Sequence, residues 1–379
     1  MHPLIEKMSA KRDEMVGFLE LLVNTDSPST EPELSTQVSR IVGRRCARAG
    51  AEVEYISRQG AGDHMKAVWR GRGKRKGHLL LLCHLDTVWP AGEAEKRPFT
   101  LEGDVARGPG VHDMKGGTVQ ALFALEEALE SENPPPRDII LFCNTDEELG
   151  SGTSREIIES LAQDARAVFV LEPSVPPEGS LKTFRKGVGH FTITTRGRAA
   201  HSGADHSAGV SAIEEMARQI QRLHSFTDHE TGTTVNVGEV AGGTRPNVVA
   251  AECTAKVDVR ACTQDEGQAI EQRIAALEPF LEGAQVDVSG GFERPPMERT
   301  DTIVQLFERA RALGSELGLD ITEAGTGGAS DGNFTAAMGV PTIDGLGAVG
   351  AGGHALDEWI RVDRMIERTA LLVRLLQDL

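Results

Sequence analysis

The run His78-Leu-Leu-Leu-Leu-Cys83 is followed at once by His84-Leu-Asp86, an apolar stretch that stops abruptly in ionisable side chains. Four consecutive leucines leave no polar alternation, so a strand built from them is buried on both faces, as in a parallel sheet covered by helices. Two further runs read the same way: Asp138-Ile-Ile-Leu-Phe-Cys143 and Ala167-Val-Phe-Val-Leu171. Between the first two lies a helical stretch, Gly117 to Glu130, with Val119, Leu122, Phe123 and Leu129 on its apolar side. Strand and helix in alternation predict an α/β domain with helices on both faces of its sheet. Each run ends in polar residues: His84 and Asp86, then Glu147 and Glu148, then Glu172. Because ligands in open α/β sheets bind beyond the carboxyl ends of the strands, these five residues are expected to share one crevice.

The pattern changes after Pro173-Ser-Val-Pro-Pro-Glu-Gly-Ser180, a linker by composition. Gly189 to Arg196 alternates as a half-exposed strand, and Val210 to Leu223 reads as an amphipathic helix. Strand-like runs follow at Thr233 to Val240 and Val249 to Arg260, then a helix near Glu266 to Leu277 and a strand near Gln285 to Ser289. This β-α-β-β-α-β order is the ferredoxin-like arrangement. After Arg294-Pro-Pro the first pattern resumes. Residues 1–180 and 293–379 are therefore expected to form one catalytic domain, with 181–292 inserted as a smaller one.

Charge and composition narrow the function. A formal net charge of -17 over 379 residues argues against nucleic acid and anionic membrane surfaces as partners. No apolar run approaches the roughly 20 residues of a membrane span, and the amino terminus lacks the apolar core of a secretory signal. The cysteines, Cys46, Cys83, Cys143, Cys253 and Cys262, form no C-x-x-C pair, which fits a reducing cytoplasm. No G-x-G-x-x-G follows the first strand, and Gly325-Thr-Gly-Gly-Ala-Ser-Asp331 lacks the Gly-Lys-Ser/Thr ending of a phosphate loop.

The strand ends carry the chemistry. On an extended chain His84 and Asp86 point the same way, so the carboxylate can accept a hydrogen bond from the ring and fix its tautomer for a metal. Asp113 lies in Arg107-Gly-Pro-Gly-Val-His-Asp113-Met-Lys-Gly-Gly117 at a helix start, where it either caps the helix or bridges two cations. Glu147 and Glu148 are costly as two ionised neighbours at a buried strand end. The conflict is resolved if one binds a cation and the other takes a proton from water. Glu172 is a further strand-end carboxylate, and His354 sits on the open loop Gly350-Ala-Gly-Gly-His354, by itself an ordinary loop histidine. These nitrogen and oxygen donors without cysteine suit zinc, with cobalt or manganese as substitutes.

The stretches HLDTV, GPGVHDMKGG, NTDEELGS, VLEP and GGHALDE occur in the order and context of the aminoacylase/carboxypeptidase family of di-zinc amidohydrolases. The chain resembles that family over nearly its full length, and most resembles its bacterial glutamate carboxypeptidases. The resemblance implies a mixed sheet flanked by helices, of zinc-exopeptidase type, with an inserted ferredoxin-like α+β lid through which two copies pair. It implies two zinc ions per subunit, one held by His84, Asp113 and Glu172 and the other by Asp113, Glu148 and His354. Asp113 bridges them across a cis Asp113–Met114 peptide bond, Asp86 orients His84, and Glu147 is the general base.

The same resemblance makes His201, in Ala199-Ala-His201-Ser-Gly, the lid histidine that polarises the substrate carbonyl, in many relatives from the partner subunit. Asn247 and Arg260 match positions that hold a substrate's terminal carboxylate, a task suited to a guanidinium with two parallel donors. Gly328 and Ser330 fall in a substrate-side loop where the family often carries Gly-Gly-Thr-Asp. The implied activity is release of a carboxy-terminal residue such as glutamate from a small peptide or N-acyl amino acid. An N-acyl amino acid deacylase or desuccinylase on the same scaffold is the alternative, and a catalytically silent, metal-stabilised binding protein the remote one.

Overall fold

The structure, a computed structural model, describes residues 2–71, 73 and 75–379. The chain divides into two compact units. One comprises residues up to Phe184 together with Arg299–Thr326 and Ser330–Leu379; the other comprises Arg185–Glu298 with Gly327–Ala329. The sequence places the boundaries at 180/181 and 292/293. The chain stays with the first unit through Phe184 because Leu181–Arg185 pairs with Glu323–Thr326 in a two-stranded sheet.

Among the described residues of the first unit, β1 (Glu52–Ile56), β2 (His64–Trp69), β3 (His78–His84), β4 (Ile139–Asn144) and β5 (Ala165–Val170) join Thr342–Ile343 in one sheet. Their order is β1-β2-β4-β3-β5, with Thr342–Ile343 at the edge. β3 runs parallel to both β4 and β5, whereas β1 and β2 are antiparallel, so the sheet is mixed.

The unbroken apolar run of β3 has a direct explanation in packing. Leu79, Leu81 and Cys83 enter a core with Val119, Leu122 and Phe123 of helix Gly116–Glu130 and Leu371 and Leu375 of helix Val362–Asp378. Leu80 and Leu82 enter a second core with Ile158 and Ala162 of helix Arg155–Ala162. Each leucine so buried contributes about 1.5–3 kcal/mol relative to exposure.

Two glycines then fix where β5 ends. A Cβ on Gly117 would lie 1.9 Å from the Leu171 carbonyl oxygen, and one on Gly347 would lie 2.1 Å from the same oxygen. Gly347 also donates its amide to the Glu172 carbonyl at 2.9 Å. The strand end that presents Glu172 is held between two backbone segments, an approach only glycine permits.

In the second unit β6 (Gly187–Arg196), β7 (Thr234–Gly242), β8 (Glu252–Ala261) and β9 (Gln285–Arg294) form an antiparallel sheet of order β7-β8-β6-β9. Helices Ala212–His224 and Gln264–Ala275 complete the β-α-β-β-α-β pattern. Phe191, Ile193, Val257 and Val259 alternate onto the face that meets Met216, Leu223, Ile270 and Ile274. Ser211 caps the first helix, and Thr263 with Glu266 forms a capping box on the second. All five cysteines are free thiols. Among the described residues no helix is long and apolar enough to cross a membrane.

Candidate metal centre

His84 is the buried last residue of β3. Its Nε2 stands 3.0 Å from Asp113 Oδ1 and 3.4 Å from Glu172 Oε1. His354, on the loop from the other end of the chain and in a left-handed conformation at φ 65°, brings its Nε2 to 3.3 Å from Asp113 Oδ2 and 3.1 Å from Glu148 Oε2. Asp113 therefore offers one carboxylate oxygen to each histidine. Donor atoms of His84, Asp113 and Glu172 lie within 4.8 Å of one another, and so do those of Asp113, Glu148 and His354. The Asp113–Met114 peptide bond is cis.

Two neighbours organise these donors. The nearer acceptor for His84 Nδ1 is the main-chain oxygen of Asp86 at 3.0 Å, while the Asp86 carboxylate lies at 3.6 Å. That carboxylate takes the amides of Glu147 (3.3 Å) and Glu148 (3.1 Å) and the hydroxyl of Ser29 (2.7 Å). Asp86 thus fixes the turn that carries both glutamates as well as facing the ring. Glu358 plays the corresponding part for Asp113. It accepts from the amides of His112 (2.8 Å), Asp113 (3.0 Å) and Gly110 (2.9 Å) and from Trp89 Nε1 (3.3 Å). Glu358 is 1% exposed. In the sequence Glu358 is marked only as the last residue of the GGHALDE stretch, with no role of its own.

The electrostatics fit a cation-binding cluster. Burial pulls the His84 imidazole down, but hydrogen bonds to Asp113, Asp86 and Glu172 outweigh it and hold the ring well above its ordinary value. Hydrogen bonds to Asp113 and Glu148 raise His354 to about 10. Burial pushes Asp113 up, yet the two histidines overcome that and hold it well below the carboxylate range. Burial raises Glu148. Three close carboxylates thus favour the protonated form of both imidazoles, and divalent cations would take the place of those protons. Imidazole nitrogens and carboxylate oxygens without thiolate are a donor set suited to zinc and to harder divalent ions.

The remaining candidates are placed as follows. Ser330 is fully buried; its hydroxyl donates to Asp344 Oδ2 at 2.6 Å and accepts from the Gly332 amide. It presents no atom to solvent, so it shapes its loop instead of lining a pocket. In the second unit His201 is exposed, and its Nδ1 accepts the amides of Gly203 (3.1 Å) and Ala204 (3.0 Å). In the neutral ring that leaves the hydrogen on Nε2 as a donor. Asn247 is exposed, its carbonyl taking the Ser202 amide. Arg260 directs Nε and one terminal nitrogen at both oxygens of Asp258, at 2.9 and 2.8 Å, and its other terminal nitrogen at the Gly327 carbonyl at 3.4 Å. The Gly328 carbonyl accepts from Arg185 at 3.1 Å.

A mixed sheet whose strand ends gather two histidine–carboxylate groups around one shared aspartate defines a metal-dependent hydrolase. The chain belongs to peptidase family M20/M25/M40, whose model matches residues 80–378. It is 29% identical over 384 residues to carboxypeptidase G2 of Pseudomonas sp. (strain RS-16), covering 99% of this chain and 92% of that one. It is 28% identical over 378 residues to a succinyl-diaminopimelate desuccinylase of Dinoroseobacter shibae, covering 93% and 96%. Its fold matches that of the Bacillus subtilis YXEP protein, a dinuclear metal binding peptidase of the M20 family. That match has a TM-score of 0.73 at 15% identity and covers 97% and 98% of the two chains.

Proposed function

We propose that the chain is a two-metal amide hydrolase, a carboxypeptidase that releases a carboxy-terminal amino acid such as glutamate from a small peptide or N-acyl amino acid. The observation that carries this reading is the division of Asp113 between His84 and His354. His84, Asp113 and Glu172 would hold one zinc, and Asp113, Glu148 and His354 the second. Cobalt or manganese fits the same donors. When bound, such a pair supplies Lewis acidity, which brings a water close to losing its proton at neutral pH and polarises a carbonyl oxygen.

The chain's own groups do the rest. Glu147 sits beside a ligand, its turn fixed by Asp86, and takes the proton of the attacking water before passing it to the leaving nitrogen. His201 offers Nε2–H to the carbonyl oxygen as it gains charge. Arg260 and Asn247 hold the terminal carboxylate, with Gly328 in the adjoining loop. Pairing of two subunits through the second unit follows from the same family resemblance.

Similarity to a desuccinylase supports a second reading, an N-acyl amino acid deacylase with the same catalytic groups. A silent binding protein is the weakest reading, because Glu147 and His201 are both in place. The zinc-loaded protein should be assayed against dipeptides, N-acyl amino acids and acetylated or succinylated metabolites, alongside Glu147→Ala. The carboxypeptidase reading predicts fastest turnover on substrates with a free carboxy-terminal residue, abolished in Glu147→Ala with metal content intact. Preference for succinylated or acetylated metabolites would move the assignment to the deacylase, and full turnover by Glu147→Ala would defeat the mechanism.

A further inference from the structure

The turn that carries Glu147 is gripped at two points. Its start is held by Asp86, through the Glu147 and Glu148 amides. Its end is held by Asp331, which arrives from the glycine-rich loop nearly two hundred residues later in the chain. Asp331 Oδ1 accepts from Ser151 Oγ at 2.5 Å, and Asp331 Oδ2 accepts from Asn144 Nδ2 at 2.7 Å. Asn144 is the last residue of β4, and Ser151 closes the turn with its amide on the Asp146 carbonyl. Asp331 therefore ties together the two ends of the segment that presents Glu147.

The backbone of Ser151 marks this contact as more than packing. Ser151 has φ 59°, a left-handed conformation that glycine enters without cost and other residues enter with strain. The preceding residue, Gly150, is a glycine with φ 94°. Serine at such a position retains something glycine lacks, a hydroxyl, and that hydroxyl is directed at Asp331. Ser151 and Asp331 are both buried, so the bond is made away from water, where it is strong. A second chain of contacts supports the same corner: Asn144 Nδ2 also reaches Ser154 Oγ at 3.0 Å, and Ser154 Oγ donates to Asp146 Oδ1 at 2.6 Å.

We infer that Asp331 is a positioning residue for Glu147: by holding Ser151 and Asn144 it sets the turn so that the Glu147 carboxylate meets the attacking water. The inference rests on the reading of Glu147 as the general base. It also gives the Gly325–Asn333 loop a task distinct from touching substrate. A displacement of the base by a fraction of an ångström lowers the rate of proton transfer while leaving substrate affinity alone, which separates this role from a binding role.

The test uses Asp331→Asn, Ser151→Ala, their double variant and Glu147→Gln in the full zinc-loaded chain. Each is measured for kcat, KM, bound metal and melting temperature. A displaced base should lower kcat by about 10–100-fold in Asp331→Asn and about 3–10-fold in Ser151→Ala, with KM within about 2-fold and metal content unchanged. The double variant should fall no further than Asp331→Asn, because Asp331→Asn already disturbs the Ser151 contact that Ser151→Ala removes. Wild-type kcat in a folded Ser151→Ala or Asp331→Asn overturns the inference, as does a loss confined to KM. Should Asp331→Asn fail to fold, Ser151→Ala decides the matter. Full activity in Glu147→Gln would instead remove the general-base reading itself, an outcome independent of how the Asp331 variants behave.

Discussion

Asp113 Oδ1 lies 3.0 Å from His84 Nε2, and this contact joins the end of one buried strand to the loop that opens the next helix. The other oxygen of the same carboxylate is left for His354. One aspartate thereby makes two donor groups into a single centre, and several consequences can be measured.

Metal binding should release protons. In the metal-free protein hydrogen bonds to Asp113 and Glu148 hold His354 protonated up to about pH 10, and His84 is likewise raised. A raised histidine contributes to the stability of the metal-free fold below its unfolded value, near 6.5, and that contribution disappears as pH rises through the folded value. Loading cations at pH 8 must displace the His354 proton, so titration calorimetry in buffers of different ionisation enthalpy should report release of about one proton or more per subunit. Heats that do not depend on the buffer would contradict the assignment of these histidines.

Glu358→Gln should weaken the centre without touching a donor. Its carboxylate receives three backbone amides from Gly110, His112 and Asp113, and a glutamine would turn its NH2 group, a donor, towards some of those donors. The loss is expected to be about 1–3 kcal/mol of folding stability and about 10–100-fold in metal affinity. Urea titration of the metal-free protein and competition with a chromophoric chelator measure the two separately.

Gly117→Ala should be among the most damaging single-methyl additions in the first unit. The added carbon would fall 1.9 Å from the Leu171 carbonyl, so either the helix start or the strand end must move. A cost of about 3 kcal/mol or more is expected, together with poor metal retention, because the same movement displaces Glu172. A melting temperature within a degree or two of the parent would show that the approach is not needed.

Arg260 should be restrained by Asp258. Both oxygens of Asp258 occupy the parallel donors that a substrate carboxylate would use. If Arg260 receives that carboxylate, Arg260→Ala raises KM by about 10-fold or more, and Asp258→Asn lowers it several-fold by freeing the guanidinium. Steady-state kinetics on one substrate and on its amide-capped analogue test this; equal effects on both would detach Arg260 from carboxylate recognition.

The sequence by itself determined the α/β class, the β-α-β-β-α-β order of the inserted segment and the strand-end placement of His84, Glu148 and Glu172. These are written in local patterns: a short unbroken apolar run such as Leu79–Leu82, bounded by polar residues, fits a strand buried on both faces, and alternation in β6 marks one buried face. The tertiary structure decided the long-range hydrogen bonds and close approaches that neither local pattern nor the family motifs announce. Glu358 and Asp331 look like loop carboxylates in the sequence, because nothing in their neighbours tells that one will collect the amides of residues 110–113 and the other Asn144 and Ser151. Ser330 reads as a substrate-side hydroxyl until the fold buries it against Asp344. Gly347 reads as one glycine among many until it meets the carbonyls of Leu171 and Glu172. Hydrophobic periodicity is local and survives in one dimension, whereas hydrogen-bond partners and close backbone approaches are set by which segments meet, and that is fixed only when the sheet and its helices have packed.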